Sequence, residues 1–362
     1  MASPTPSMQT VATQADVSVM TVSRVLRDHP RVSPATRQKV LKAVKAVGYK
    51  TNPLVAALMS QRRRRRENEY VATLALVHCL PHGKPLPANM KTFRTAARRQ
   101  AKSLGFELEE FFLHEPGMTL PRLMQIIAAR GIRGIIWEHF FTPNNRLHYD
   151  FSEFACVSIG RTLVEPVFHQ IESDKFAEMQ IALRKLAVMG YRRIGYCSLG
   201  QIEAMIDYKR LAAFLLEQAT GNSGDRIPWL EAETIETYEE QVMTWMGRYH
   251  PQVVMTQNLM VYDWIKARGI DIPGQVGFLH LGNNPGFKHL AGVDPNWRNR
   301  GIAAVDRVVE LLYRNEFGVP SAPMVTYVDH HWVDGPSLRQ VGPPRPPAVT
   351  HINPRQLSEV PV

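Results

Sequence analysis

The chain has 362 residues, 44% of them apolar, three cysteines and a formal charge of +10. That length exceeds one ordinary compact domain and points to two or three domains with buried cores. It excludes a bilayer-crossing apolar run and, from the scattered cysteines, a disulfide scaffold. The charge is confined to one end: residues 1–66 hold thirteen Lys or Arg against Asp16 and Asp28, and the remainder holds thirty against thirty-one acids. Such asymmetry suits a polyanion at the head and leaves the body neutral, as a sugar- or metabolite-binding domain would be. A membrane surface is the other polyanion to weigh, but no lipidation signal or signal peptide is recognisable, so a cytoplasmic protein is expected. Cys79, Cys156 and Cys197 are expected to be buried free thiols.

In chain order, residues 7–13 read as a first short helix capped by Ser7, with Val11, Ala12 and Ala15 facing inward. Asp16 and Val17 make a tight turn, Ser18 caps again, and residues 19–26 form a second helix with Val22, Val25 and Leu26 inward. A third helix starts at Ser33 and Pro34, carries Val40, Leu41, Val44 and Val47 at helical spacing, and stops at Gly48. Helix, short turn and second helix is the unit that lays its latter half in a DNA major groove. Residues 52–61, with Pro53 at a helix start and Leu54 to Leu58 behind it, form one very apolar helix, followed by five arginines at 62–66. Such a run is a solvated linker in isolation and, beside DNA, a source of salt-sensitive phosphate affinity.

These motifs resemble the head of the LacI/GalR family of bacterial repressors: VSVMTVSRVL at 17–26, VSPATRQKVL at 32–41, GY at 48–49, NP at 52–53 and AAL at 56–58. One departure is Asp16, where the family usually has glycine; aspartate tolerates the left-handed backbone better than most residues. The resemblance implies base contacts from Val19, Met20 and Arg24. Arg24 could pair with guanine in bidentate fashion, whereas Val19 and Met20 offer only apolar contact. It implies backbone contacts from Thr21, Ser23, Thr36 and Tyr49, and a minor-groove wedge from Leu58. The simpler alternatives are a solvated helix face for each head residue and packing of residues 54–58 against the body.

From residue 70 the pattern alternates. Strands are expected at 71–79, 106–112, 134–137, 193–197, 253–256 and 276–281, and helices at 90–104, 120–130, 210–218 and 262–268. Repeated strand and helix mean parallel sheets covered on both faces, here two doubly wound lobes. The body also resembles the family's periplasmic-binding-protein-like core, through Asp174 with its helix to GYRRI at 190–194, then residues 210–214, 267–273 and 301–312. That resemblance implies three crossings between lobes and an effector in the cleft. The expected partition is a helix-turn-helix domain at 1–51, a hinge and basic linker at 52–69 and a two-lobed domain at 70–340. Its N-lobe would take about 70–172 and 295–320, and its C-lobe about 173–294 and 321–340.

The same alignment implies effector contacts from Arg210, Trp297, Gln257, Tyr238 and Asp174. Arg210 would grip an oxygen-rich ligand and Trp297 would wall a sugar ring; an interlobe salt bridge and core packing are their respective alternatives. Gly282 and Asn283 stand where many sugar-responsive members carry an aspartate pair. Either the effector is more acidic or less hydroxylated than a neutral sugar, or other residues satisfy it. Residues 341–362, with six prolines, read as a flexible tail. With no leucine heptad, a homodimer reading a pseudo-palindromic operator is expected. No cofactor, metal or catalysis is expected, because no phosphate loop, ligand spacing or Ser/His/Asp grouping occurs. A catalytic cleft or a solute receptor are the rival functions; turnover of a ligand or secretion would favour them.

Overall fold

A computed structural model describes residues 8–26, 32–47, 72–220, 226–282 and 286–344. The chain separates into two units, Met1–Glu69 and Tyr70–Val362.

In the first unit, helices α1 (Met8–Ala15), α2 (Val19–Leu26) and α3 (Pro34–Ala46) close over Val11, Ala12, Ala15, Val22, Val25, Val40 and Ala43. The turn after α1 places Asp16 at φ +45°, the left-handed conformation expected of it. Ser18 Oγ accepts the Thr21 amide at 3.1 Å, and Ser33 Oγ accepts the Thr36 amide at 3.2 Å, satisfying donors that a helix start leaves open. Helix α1 begins at Met8 and runs to Ala15, two residues beyond the expected end. Leu41 is corrected: it is 46% exposed while Ala43 is buried, because the inward stripe of α3 passes through 40, 43, 44 and 47.

The second unit holds two six-stranded sheets. The first comprises β1 (Ala72–His78), β2 (Phe106–Phe112), β3 (Gly134–Trp137), β5 (Ala155–Ile159), β7 (His169–Glu172) and β13 (Val325–Tyr327). All pair in parallel, in the order β13-β7-β5-β3-β1-β2. The second comprises β8 (Ile194–Leu199), β9 (Leu230–Ala232), β10 (Val253–Thr256), β11 (Gly277–Leu281), β12 (Ala291–Asp294) and β14 (His331–Val333). Its order is β14-β12-β11-β10-β8-β9, with β14 alone antiparallel among these described strands. A small parallel pair, β4 (Asn145–Arg146) and β6 (Leu163–Glu165), lies beside the first sheet's connections.

Strand period decides which side chains enter which core. Leu74 and Leu76 join one cluster with Phe93, Val305 and Val308, while Ala75 and Val77 join another with Leu123, Ile127 and Phe168. Val253 and Met255 likewise face Tyr191 and Phe214, while Val254 faces Tyr238, Trp245 and Ile265. Both faces of each sheet are therefore covered, which is why central strands such as β1, β3 and β10 read as largely apolar runs. The covering helices are α4 (Ala88–Ser103), α5 (Leu120–Ala129), α6 (Lys175–Val188), α7 (Gly200–Met205), α8 (Lys209–Thr220), α9 (Ile235–Tyr249), α10 (Met260–Ala267) and α11 (Trp297–Arg314). Helix α11 lies so close to α4 that a Cβ on Gly301 would stand 2.4 Å from the Phe93 carbonyl oxygen.

The chain passes between the sheets at residues 173–174, 295–296 and 328–330. The third passage corrects the expected partition: β13 pairs with β7 of the first sheet, so residues 325–327 belong with the N-lobe and only the segment from β14 onward belongs with the C-lobe. The start of the supposed tail is corrected too. The Val341 amide donates to the Met189 carbonyl at 3.0 Å, Val341 packs on the C-lobe core, and Gly190, at φ +82°, leaves room for the Gly342 backbone. Residues 345–362 lie outside the described residues. All three cysteines are buried and free. Among the described residues, no helix is long and apolar enough to cross a membrane and no His, Cys, Asp and Glu grouping could hold a metal ion.

Candidate functional site

Two places carry the functional side chains expected from sequence. In the head, Val19 at the start of α2 is partly buried and packs against the three-helix core. Thr21 and Thr36 stand at the first turns of α2 and α3, their hydroxyls bonded to Ser18 and Ser33 at 2.9 and 2.8 Å. These hydroxyls sit at helix N-termini, where backbone donors and the helix dipole favour a phosphate. The side chains of Met20, Ser23 and Arg24, together with Tyr49 and Leu58, lie outside the described residues.

In the body, the carboxyl ends of both sheets face one cavity of about 430 Å³, the place where open parallel sheets bind ligands and a volume suited to a small metabolite. From the N-lobe come Asn89, His139 and Phe141 after β3, Arg161 and Thr162 after β5, and Glu172 at the end of β7. From the C-lobe and the passages come Lys175, Met205, Arg210, Gln257, His280, Gly282, Phe287, Trp297 and Arg300.

A buried charge cluster forms the floor. Glu178 on α6 is fully buried, and its Oε2 accepts Arg210 Nε at 3.0 Å, Arg210 Nη2 at 2.9 Å and Lys175 Nζ at 3.3 Å. Burial alone would raise this carboxyl, but Arg210 and Lys175 outweigh it and bring it down to about 2. Burial lowers Lys175 to about 8, against the pull of Glu178. The remaining Arg210 nitrogen, Nη1, donates to Gln257 Oε1, and His280 Nε2 meets the Gln257 carbonyl at 3.0 Å. Arg210 is thus held by a carboxylate of its own lobe, not by the interlobe bridge the sequence left open. An ion pair that does cross between the lobes is Arg161 Nε to Asp207 Oδ2 at 3.1 Å.

Trp297 opens α11, belongs to the N-lobe core and also walls the cavity. The Arg300 guanidinium lies 4.1 Å from the Trp297 ring centre. His139 tilts over the same ring at 5.9 Å; burial, then Arg300 and Lys175, hold its imidazole neutral by lowering it to about 3.

The structure therefore brings Arg210, Gln257 and Trp297 to one cavity and leaves two expected residues out of its lining. Tyr238 is fully buried in the C-lobe core, edge-on to Trp264 at 5.6 Å, because α9 places it on the same inward face as Val242 and Trp245. Asp174 caps α6, its Oδ1 accepting the Phe176 and Ala177 amides at 3.0 and 3.2 Å. Lys175, Glu178, Glu172 and Arg300 were missed. On sequence they read as ordinary solvated charges near helix starts, and the one available signal was the Lys175 and Glu178 pairing at i, i+3.

Comparison with known proteins agrees with this division. The profile "Bacterial regulatory proteins, lacI family" matches residues 7–52. The sucrose operon repressor of Escherichia coli is 38% identical over 304 residues, spanning 78% of this chain and 86% of that one. The solved complex of the transcriptional regulator CelR with cellobiose aligns with a TM-score of 0.55 at 17% identity, covering 92% of this chain and 99% of that one. The lac repressor dimer bound to operator and an anti-inducer aligns at 0.51 and 16% identity, with the same coverages; these two likenesses concern the fold. The match of the head and the 38% identity over 78% of the chain place it in the lacI family of bacterial regulatory proteins, as a DNA-binding transcription regulator with a two-lobed α/β effector core.

Proposed function

We propose that this regulator is a cytoplasmic homodimeric repressor whose two heads read a pseudo-palindromic operator and whose body cavity takes a small, carbohydrate-like effector. The observation that supports this best is the pairing of a basic helix-turn-helix head with a cavity at the carboxyl ends of two parallel sheets. Within it, Arg24, Met20 and Val19 read base edges, Thr21, Ser23, Thr36 and Tyr49 hold phosphates, and Leu58 wedges a minor-groove step. Val19, half-committed to the head core, contributes the least of the three base readers. Arg210, Gln257 and Trp297 contact the effector, while Asp174 sets the start of α6 and Tyr238 supports the C-lobe from within.

Effector control follows if the ligand prefers one arrangement of the lobes, since only a difference in affinity between two states shifts them. The test of the head is Arg24→Ala. Losing one bidentate guanine pair is expected to weaken operator binding by about 1–3 kcal/mol and to relax preference at one base position. An equal loss on every duplex, specific or not, would refute the base-reading role.

A further inference from the structure

Among the described residues, Arg300 is a cavity cation with a buried nitrogen that finds no hydrogen-bond partner. It is 3% exposed and sits in the first turn of the 18-residue α11, where the helix dipole adds positive potential. Its Nε is wholly out of solvent with no hydrogen-bond partner, and among the described residues it feels Glu172 and Glu178 only at a distance. Its face is covered by Trp297, and the two residues together line the cavity. A buried guanidinium nitrogen without an acceptor is costly, and native interiors rarely leave one so.

The surrounding charges sharpen the point. Lys175 and Arg210 share a single carboxylate oxygen of Glu178, and one oxygen of Glu172 is taken by the Ser173 amide at 2.8 Å. The two carboxylates that Arg300 feels, Glu172 and Glu178, are therefore both engaged elsewhere. At the far wall, after β11, Gly282 offers no carboxylate to a hydroxyl.

We infer that the cavity recognises a small molecule bearing an oxyanion, a carboxylate or phosphate on a sugar-sized frame, with Arg300 and Lys175 holding the anion beside the Trp297 wall. This rests on the effector role proposed for the cavity and narrows its ligand class. The anion supplies the charged acceptor that the Arg300 guanidinium lacks. A neutral sugar of the same shape would offer only a hydroxyl acceptor, and a weaker bond.

The test uses the full chain and matched probes: glucose, gluconate, glucuronate and glucose 6-phosphate, with inorganic phosphate as the bare anion, followed by thermal shift and calorimetry. At least one of the three anionic sugars is expected to raise the melting temperature and bind at least about tenfold more tightly than glucose. Gluconate and glucuronate against glucose 6-phosphate separate carboxylate from phosphate. Arg300→Met should cost that ligand roughly 10- to 100-fold, the usual weight of a hydrogen bond to a charged group, and Arg300→Lys should recover part of it. Operator binding by each variant without ligand reports that the fold and the regulator role are intact. Glucose binding as well as its anionic partners, no anionic sugar binding at all, or an affinity unmoved in a folded Arg300→Met protein would each overturn the inference. Loss of operator binding in the wild-type chain would instead overturn the regulator role.

Discussion

Glu178→Gln is a nearly isosteric change that removes the one carboxylate shared by Arg210 and Lys175. In the folded chain Glu178 lies at about 2 against an ordinary 4.5, and two and a half pH units of preference for the charged form correspond to about 3 kcal/mol. Breaking one side of a buried ion pair costs roughly 3–5 kcal/mol by general experience, because the partner is left charged and dry. The two routes agree. The lower figure is expected here, since Lys175, already lowered to about 8, can shed its proton once Glu178 is neutral, whereas Arg210 cannot. Urea unfolding at pH 7 should therefore show about 3 kcal/mol lost. The folded value is depressed, so the contribution of Glu178 is fully present above about pH 4.5 and is lost as pH falls toward 2; the gap between wild type and variant should close over that window. The double change Glu178→Leu with Arg210→Met should restore most of the stability, as apolar replacement of both partners often does. A single variant within about 1 kcal/mol of wild type, or a gap that does not change with acid, would refute the reasoning.

Three further outcomes follow. Gly301→Ala drives a methyl into the Phe93 carbonyl at 2.4 Å and should cost about 1–3 kcal/mol by forcing α11 off α4; Gly247→Ala, with nothing within 4 Å of the new carbon, should be neutral or gain up to about 1 kcal/mol, and equal melting temperatures for the two variants would contradict the close approach. His78 is fully buried and bonded to Glu138 at 2.7 Å and Glu110 at 3.1 Å; burial lowers it, but the two carboxylates prevail and raise it to about 9. A raised value stabilises fully below about pH 6.5 and less as pH climbs through 9, so wild type should lose roughly 3 kcal/mol more than His78→Asn between pH 6 and 10, and parallel unfolding curves would count against it. Ser33→Ala removes the acceptor of the Thr36 amide and should cost the head about 1 kcal/mol, read by hydrogen exchange of the α3 amides; unchanged protection would show the cap to be idle.

Local chemistry made the head and much of the body legible in the sequence. Ser33 with Pro34 announces α3, and the apolar runs at 134–137 and 253–256 coincide with strands β3 and β10. Such runs arise because both faces of each sheet are covered. β7, with the sequence HQIE, was not legible: all four residues are buried, yet three are polar, and their burial depends on the neighbouring β5 and β13. β13 escaped for the opposite reason, being an exposed edge of three residues whose partner, β7, lies over 150 positions earlier. In the cavity, Arg210, Gln257 and Trp297 were reached through the family resemblance. Glu178 and Arg300 were not, because charged residues in helix first turns are ordinarily solvated, and only the meeting of distant segments removes their water.

The most direct test of the regulator role is selection of bound duplexes from a random pool by the full-length protein at physiological salt. Enrichment of one two-fold symmetric site, bound far more tightly than the unselected pool and with an affinity that changes when the cavity is occupied, is the expected result. A pool that emerges without a common site, with and without small molecules present, would contradict the account.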